Sequence, residues 1–239
     1  MRQEITKYRK KLRLSHSLIE IYDEIEFKDK DQFILDLLTK LYEERKENII
    51  SRNLQNAKFP VVKSFDGYIF DGVEFPGSLS LKELKTLSFI DNKENLILYG
   101  NVGVGKTHLA TAIGLRAINE GKVVYFFTLH DLVNQLLDAK ETRIIDKLMR
   151  KLLKADMIIL EEWGYLPLHQ EGARLLFELI SKCYEQKSLI ITTNLEFSHW
   201  KSFLFDEKLT LAIIDRIIHH SHLLLFNKES YRKQYALTK

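Results

Sequence analysis

The stretch Gly100-Asn101-Val102-Gly103-Val104-Gly105-Lys106-Thr107 matches G-x-x-x-x-G-K-[ST], the pattern of a phosphate-binding loop, and it constrains the fold more than any other part of the chain. Such a loop works only between a strand and a helix. The apolar run NLILY precedes it at 95–99, and a helical pattern follows at 106–119. Glycines let the backbone curl so that consecutive N–H groups face phosphate oxygens, and the helix N-terminus adds donors and a favourable dipole. In this arrangement Lys106 contacts the β- and γ-phosphates and Thr107 offers its hydroxyl to Mg²⁺. His108 is counted with the loop as cofactor-binding, with no chemistry of its own.

The rest of the C-terminal part repeats the strand–helix alternation. Short apolar runs VVYFF (123–127), MIIL (157–160), LIIT (189–192) and HLLLF (222–226) alternate with helical patterns near 129–154 (broken), 171–186 and 207–220. Near-continuous apolar runs separated by helices predict a buried, mainly parallel sheet covered on both faces. Thr128 with Asp131 is placed to cap the helix after the second run. Cys183, the single cysteine, falls in the apolar series Leu175, Leu176, Leu179, Ile180, which predicts a buried thiol and excludes an intrachain disulfide.

The N-terminal part differs. Among ten glycines and three prolines, none precedes Pro60. Residues 15–59 read as helical, with Ser17 and Glu20 in capping-box spacing and Asp31 placed to cap a second helix whose apolar face runs through Phe33, Ile34, Leu37, Leu38 and Leu41. Residues 60–78 mix Pro60, Gly67, Gly72, Pro76 and Gly77 with four aromatics, and Phe59 precedes them, predicting an irregular connector held to the next domain by its rings. Ser80 and Glu83 repeat the capping-box spacing. The expected division is therefore a helical domain over 1–59, a connector over 60–78 and a P-loop domain over 79–239. The overall charge is +3, too close to neutral to identify a nucleic-acid binder. Two local runs, Lys7 to Arg13 and Lys147, Arg150, Lys151 and Lys154, read either as phosphate contacts or as solvated faces. Neither a signal peptide nor a membrane span is expected, and the default location is the cytoplasm.

Three further positions carry chemistry. The third apolar run ends in Glu161-Glu162, where a P-loop enzyme places its Walker B carboxylates: Glu161 for the Mg²⁺ shell and Glu162 for the attacking water; two acids that only cap the strand at the sheet edge are the rival reading. Asn194 follows the fourth run and ends on the side of the P-loop, suited to hold water or sense the γ-phosphate; a turn-forming asparagine is the rival reading. Arg216, in a helix, and Arg232, past the last strand, read as phosphate-neutralising arginines or as surface ion pairs. His219, His220 and His222 resemble a metal cluster, but their spacing begins on a helix and enters a strand with no evident carboxylate or cysteine partner, so structural or interface use is favoured.

LILYGNVGVGKTHLA, LEEWGYLP, ITTNLEFSHW and IIDRIIHHSHLLLF followed by ESYR together resemble the IstB-type helper ATPases of insertion sequences. These are relatives of the DnaC and DnaI helicase loaders within the AAA+ superfamily, and the resemblance covers roughly residues 50 to 236. It implies a three-layer α/β fold of AAA+ (ASCE) type with a small N-terminal helical domain for partner contact or assembly. It also implies an ATP- and Mg²⁺-dependent ATPase that oligomerises on duplex DNA and stimulates a transposase. The roles it implies are Walker A for Lys106 and Thr107, Walker B for Glu161 and Glu162, sensor 1 for Asn194, arginine finger for Arg216 and sensor 2 for Arg232. The family has Asp followed by Glu in Walker B, whereas this chain has Glu161. A helicase loader and a nucleotide-gated DNA-binding protein with little hydrolysis are the alternatives.

Overall fold

The computed structural model describes residues 1–27, 29–204 and 206–231, and it divides into two compact units, Met1–Arg52 and Asn53–Lys239. In the first unit α1 (Arg2–Lys11) and α2 (Leu18–Glu24) are followed by α3 (Lys30–Ala57), whose last turn belongs to the second unit. Two expected caps are not formed. Ser17 lies in helical φ/ψ and makes no cap bond; its hydroxyl and that of Ser15 donate to the Glu44 carboxylate on α3 instead. At the start of α3, Asp29 does the capping assigned to Asp31, its Oδ1 accepting from the N–H groups of Asp31 and Gln32 at 3.0 and 2.9 Å. In the basic run on α1, Arg9 is buried and donates to the Ser15 carbonyl at 3.1 Å, so it is not a free phosphate contact.

The second unit is built on a six-stranded sheet. Its strands are β1 (Val73–Glu74), β2 (Asn95–Gly100), β3 (Val124–Thr128), β4 (Met157–Trp163), β5 (Ser188–Thr193) and β6 (Ser221–Phe226), in spatial order β1-β6-β2-β5-β4-β3. All neighbours are parallel except β1, which runs antiparallel to β6. The fold is the α/β P-loop architecture expected, with one addition. The connector carries β1, where Val73 pairs with Phe226; a two-residue strand leaves no periodic pattern to read.

Helices α4 (Leu81–Thr86), α5 (Ser88–Asp91), α6 (Lys106–Asn119), α7 (Leu129–Glu141), α8 (Ile145–Leu152), α9 (Gln170–Cys183) and α10 (Glu207–Ile218) complete the unit. The capping box at Ser80 and Glu83 is present, and the two bonds to Ser80 hold the Glu83 carboxyl below its ordinary range. Thr128 caps α7 by accepting from the Asp131 N–H at 3.1 Å. Leu96, Ile97 and Leu98 of β2 are fully buried, each contributing about 1.5–3 kcal/mol of hydrophobic stabilisation. Trp163, Trp200 and Phe203 form an aromatic cluster behind β4, so Trp163 is a core residue rather than a base-stacking one. Among the described residues no helix is long and apolar enough to cross a membrane.

Candidate functional site

Because β2, β4 and β5 are parallel, their C-terminal ends share one edge of the sheet. That edge receives Gly100, Glu161-Glu162 and Asn194, and β5 lies between the strand of the loop and the strand of the acids. Gly103 and Gly105 turn the loop with φ of +82° and +95°, and Gly105 is the N-cap of α6. At Gly100 the constraint is space: a Cβ there would lie 2.7 Å from the Cβ of Phe226. The backbones of β2 and β6 therefore approach as only glycine permits. Val104 is buried and anchors the loop, whereas Asn101 and Val102 are exposed.

The Lys106 ammonium donates to the carbonyls of Gly100 and Asn101, both at 2.7 Å, folding back along its own loop. The Thr107 hydroxyl donates to Glu161 Oε1. A hydroxyl and a carboxylate, both hard oxygen donors of the kind Mg²⁺ takes, thus meet at the start of α6. The curled glycine backbone, the lysine and this oxygen pair fit a magnesium-bound triphosphate.

Glu162 departs from regular strand geometry. Leu160 pairs with Ile191 and Trp163 with Thr193, so β4 spends three steps where β5 spends two. The extra residue makes a β-bulge, and Glu162 takes φ of +60°, in the left-handed region. In a flat strand consecutive carboxylates point to opposite faces; the bulge re-aims the second. Thr192 and Thr193 secure it. The Glu162 N–H donates to Thr192 Oγ1 at 3.2 Å, and the Thr193 hydroxyl donates to the Trp163 carbonyl at 2.8 Å. In the sequence these two threonines show only as hydroxyls at the end of an apolar run, and in the fold both are buried. Asn194 is exposed next to them.

Other elements close on the loop. The connector residue Tyr68 sets its ring 4.9 Å from the His108 ring and donates its hydroxyl to the Gly105 carbonyl at 3.4 Å. Burial pushes the Tyr68 phenol well above its ordinary range. His108 Nε2 lies 3.0 Å from the Ser64 carbonyl, so this residue anchors the connector. After β6 the Tyr231 N–H donates to the Gly103 carbonyl at 3.0 Å. A cleft of about 830 Å³ opens here between Asn101, Val102, Phe226 and Lys228. Burial lowers the Lys228 ammonium below its usual range. Arg232, the next basic residue, lies outside the described residues.

Arg216 stands apart from this cluster. It donates from Nη1 to the Ala212 carbonyl of its own helix at 2.8 Å and stacks its guanidinium 5.0 Å from the ring of Phe177 on α9.

Comparison with known proteins agrees with this fold. The sequence profile of the family described as IstB-like ATP binding protein matches residues 9–238. The chain is 38% identical over 201 residues to the protein named as ATP-binding for insertion sequence IS5376 of Geobacillus stearothermophilus, covering 84% of this chain and 80% of that one. It is 34% identical over 238 residues to the corresponding IS232 protein of Bacillus thuringiensis subsp. berliner, covering 96% and 94%. The fold is similar to the crystal structure of the DnaC helicase loader, with a TM-score of 0.53 and 25% identity over 68% of this chain and 96% of that one. It is also similar to the replication initiator DnaA bound to AMPPCP and single-stranded DNA, with a TM-score of 0.58 and 16% identity over 72% of this chain and 52% of that one.

Proposed function

The chain belongs to the IstB-like ATP-binding proteins of insertion sequences, within the AAA+ superfamily, and from that premise we propose that it is an ATP-hydrolysing helper of transposition. It assembles into ATP-dependent oligomers on duplex DNA and stimulates a partner transposase. The observation that carries this reading is the meeting of Lys106, Thr107, Glu161, Glu162 and Asn194 at one end of the sheet, with the Thr107 hydroxyl bonded to Glu161.

When bound, ATP supplies the phosphoryl group that passes to water, and Mg²⁺ draws charge from the phosphate oxygens. Lys106 exchanges its two loop carbonyls for phosphate oxygens. Thr107 and Glu161 hold the metal. Glu162 orients the attacking water and accepts its proton, with Asn194 as the neighbouring polar group. Arg216 serves the site of an adjoining subunit, and Arg232 neutralises phosphate charge from the segment beyond β6.

DNA contact is assigned to α8 and the residues just after it. Lys147, Arg150, Lys151 and Lys154 are exposed, while Met149 and Leu152 on the opposite face are buried. Such contacts are mainly to phosphate, so affinity falls steeply with salt and depends little on sequence.

The deciding experiment measures phosphate release by the wild type and Lys106→Ala, with and without duplex DNA, over a range of protein concentration. The wild type should turn over with DNA stimulation and a rate per chain that rises with concentration; Lys106→Ala should be inert. Equal release by both proteins overturns the hydrolytic assignment. The fold similarity to the helicase loader gives the second reading its weight, and a pull-down against transposase and replicative helicase separates the two: capture of the helicase alone rejects the transposition role.

A further inference from the structure

We infer that Glu185, His219 and His220 form a binding site for a divalent cation of the Zn²⁺ class, separate from the Mg²⁺ site proposed at the P-loop. Each side chain offers one ligand atom, and the three atoms lie within 4.8 Å of one another. The carboxylate that a sequence search near the histidines misses arrives from 34 residues before His219, in the turn between α9 and β5. His219 caps the C-terminus of α10, and His220 leads into β6. Since β5 and β6 run parallel to β2, this cluster sits at the end of the sheet opposite Gly100 and the phosphate-binding loop.

The local geometry favours ligation. Glu185 adopts φ of +55°, in the left-handed region, in the turn that follows α9. Its Oε1 is 2.8 Å from His220 Nε2. A cation entering between these atoms replaces the hydrogen bond that joins them. The two imidazole rings stand 4.3 Å apart and nearly perpendicular, at 84°. The Tyr184 hydroxyl lies 2.9 Å from His219 Nδ1, which fixes the ring and leaves Nε2 as the ligand atom. A second oxygen on the far nitrogen is the usual support of a metal-bound histidine.

His222, by contrast, is absorbed structurally, with Nδ1 2.8 Å from Ser78 Oγ and Nε2 3.1 Å from Glu94 Oε2. It is not a ligand.

Two imidazoles and one carboxylate select Zn²⁺, with Co²⁺ and Ni²⁺ as chemical relatives, over Mg²⁺. Tetrahedral zinc holds its ligand atoms about 3.3 Å apart, so the set closes by rotation of side chains. Glu185 and His219 are exposed, which leaves the fourth position open to water. The ion would tie the α9–β5 turn to the α10–β6 junction. Those are the two helices already joined by Phe177 and Arg216.

The test uses the full chain, stripped with EDTA and held in magnesium-free buffer. Calorimetric titration with Zn²⁺ should give one ion per chain, and Co²⁺ should produce visible absorption of tetrahedral intensity. Zinc should also shift the imidazole NMR resonances of His219 and His220 in the unmodified protein, a readout that needs no variant. Glu185→Gln and His220→Asn should each weaken binding about tenfold or more, whereas Lys106→Ala should bind zinc as wild type does. Absence of stoichiometric binding, undisturbed His219 and His220 resonances, or loss of binding in Lys106→Ala overturns the assignment.

Discussion

Thr107 and Glu161 are joined directly, the threonine hydroxyl on the first turn of α6 donating to the carboxylate on β4. The pair brings into contact two sequence positions that lie 54 residues apart. Through this bond the Glu161 carboxylate reaches the hydroxyl itself.

A carboxylate that reaches so far crowds an octahedral ion, which tolerates little geometric error. Glu161→Asp, which draws the carboxylate back by one methylene, should therefore hydrolyse ATP at lower Mg²⁺ and about fivefold faster, equivalent to ~1 kcal/mol of transition-state stabilisation. Steady-state rates across a magnesium titration check this. Identical curves for the two proteins would remove Glu161 as the cause of any slow turnover.

Thr192 holds the backbone of Glu162. Replacing it by the isosteric valine deprives that N–H of its acceptor, at a cost of about 1 kcal/mol of stability in this half-buried setting. The proposed water-orienting carboxylate then loses its fixed aim, so kcat should drop roughly tenfold while KM for ATP stays unchanged. A rise in KM with kcat preserved would mean that the bulge serves binding instead.

Arg216 rests on Phe177 and on its own helix, away from the loop residues. Arg216→Ala should lose hydrolysis, retain nucleotide binding and sacrifice no more than about 1 kcal/mol of stability. Mixing it with Lys106→Ala should restore part of the activity, since each protein supplies what the other lacks. No recovery at any ratio would argue against a residue shared between subunits.

The Cys183 thiol is buried, and burial pushes its pKa up to about 12 from an ordinary value of 9.0. Disulfide-exchange reagents at pH 8 should label the native protein at least about a hundredfold more slowly than the unfolded chain. Because the unfolded thiol ionises first, its contribution to stability is intact below pH 9.0 and declines as the pH rises toward about 12. Denaturant midpoints measured over that window provide the check.

What the chain reveals before folding follows the range of its interactions. The P-loop, the five parallel strands and the helix caps at Ser80 and Thr128 depend on near neighbours, and all are legible. Contacts across long separations are not. Ser17 has the spacing of a cap, yet Glu44, 27 residues later, takes its hydroxyl. The histidines at 219 and 220 look unaccompanied until Glu185 is brought beside them by the turn after α9. Likewise the pairing of Glu161 and Glu162 is visible as two letters, but their separate orientations come from β5, whose threonines bond to the neighbouring strand.

The surplus residue in β4 gives insertions and deletions a different meaning there from substitutions. Removing one position between Leu160 and Trp163 would restore an unbroken ladder with β5 and relieve the left-handed backbone at 162. The shortened chain would thus be easier to fold and still have one glutamate at the strand end. It would have traded an irregular strand that aims two acids for a regular one that aims a single acid. The length of this strand therefore matters to the site as much as the letters within it.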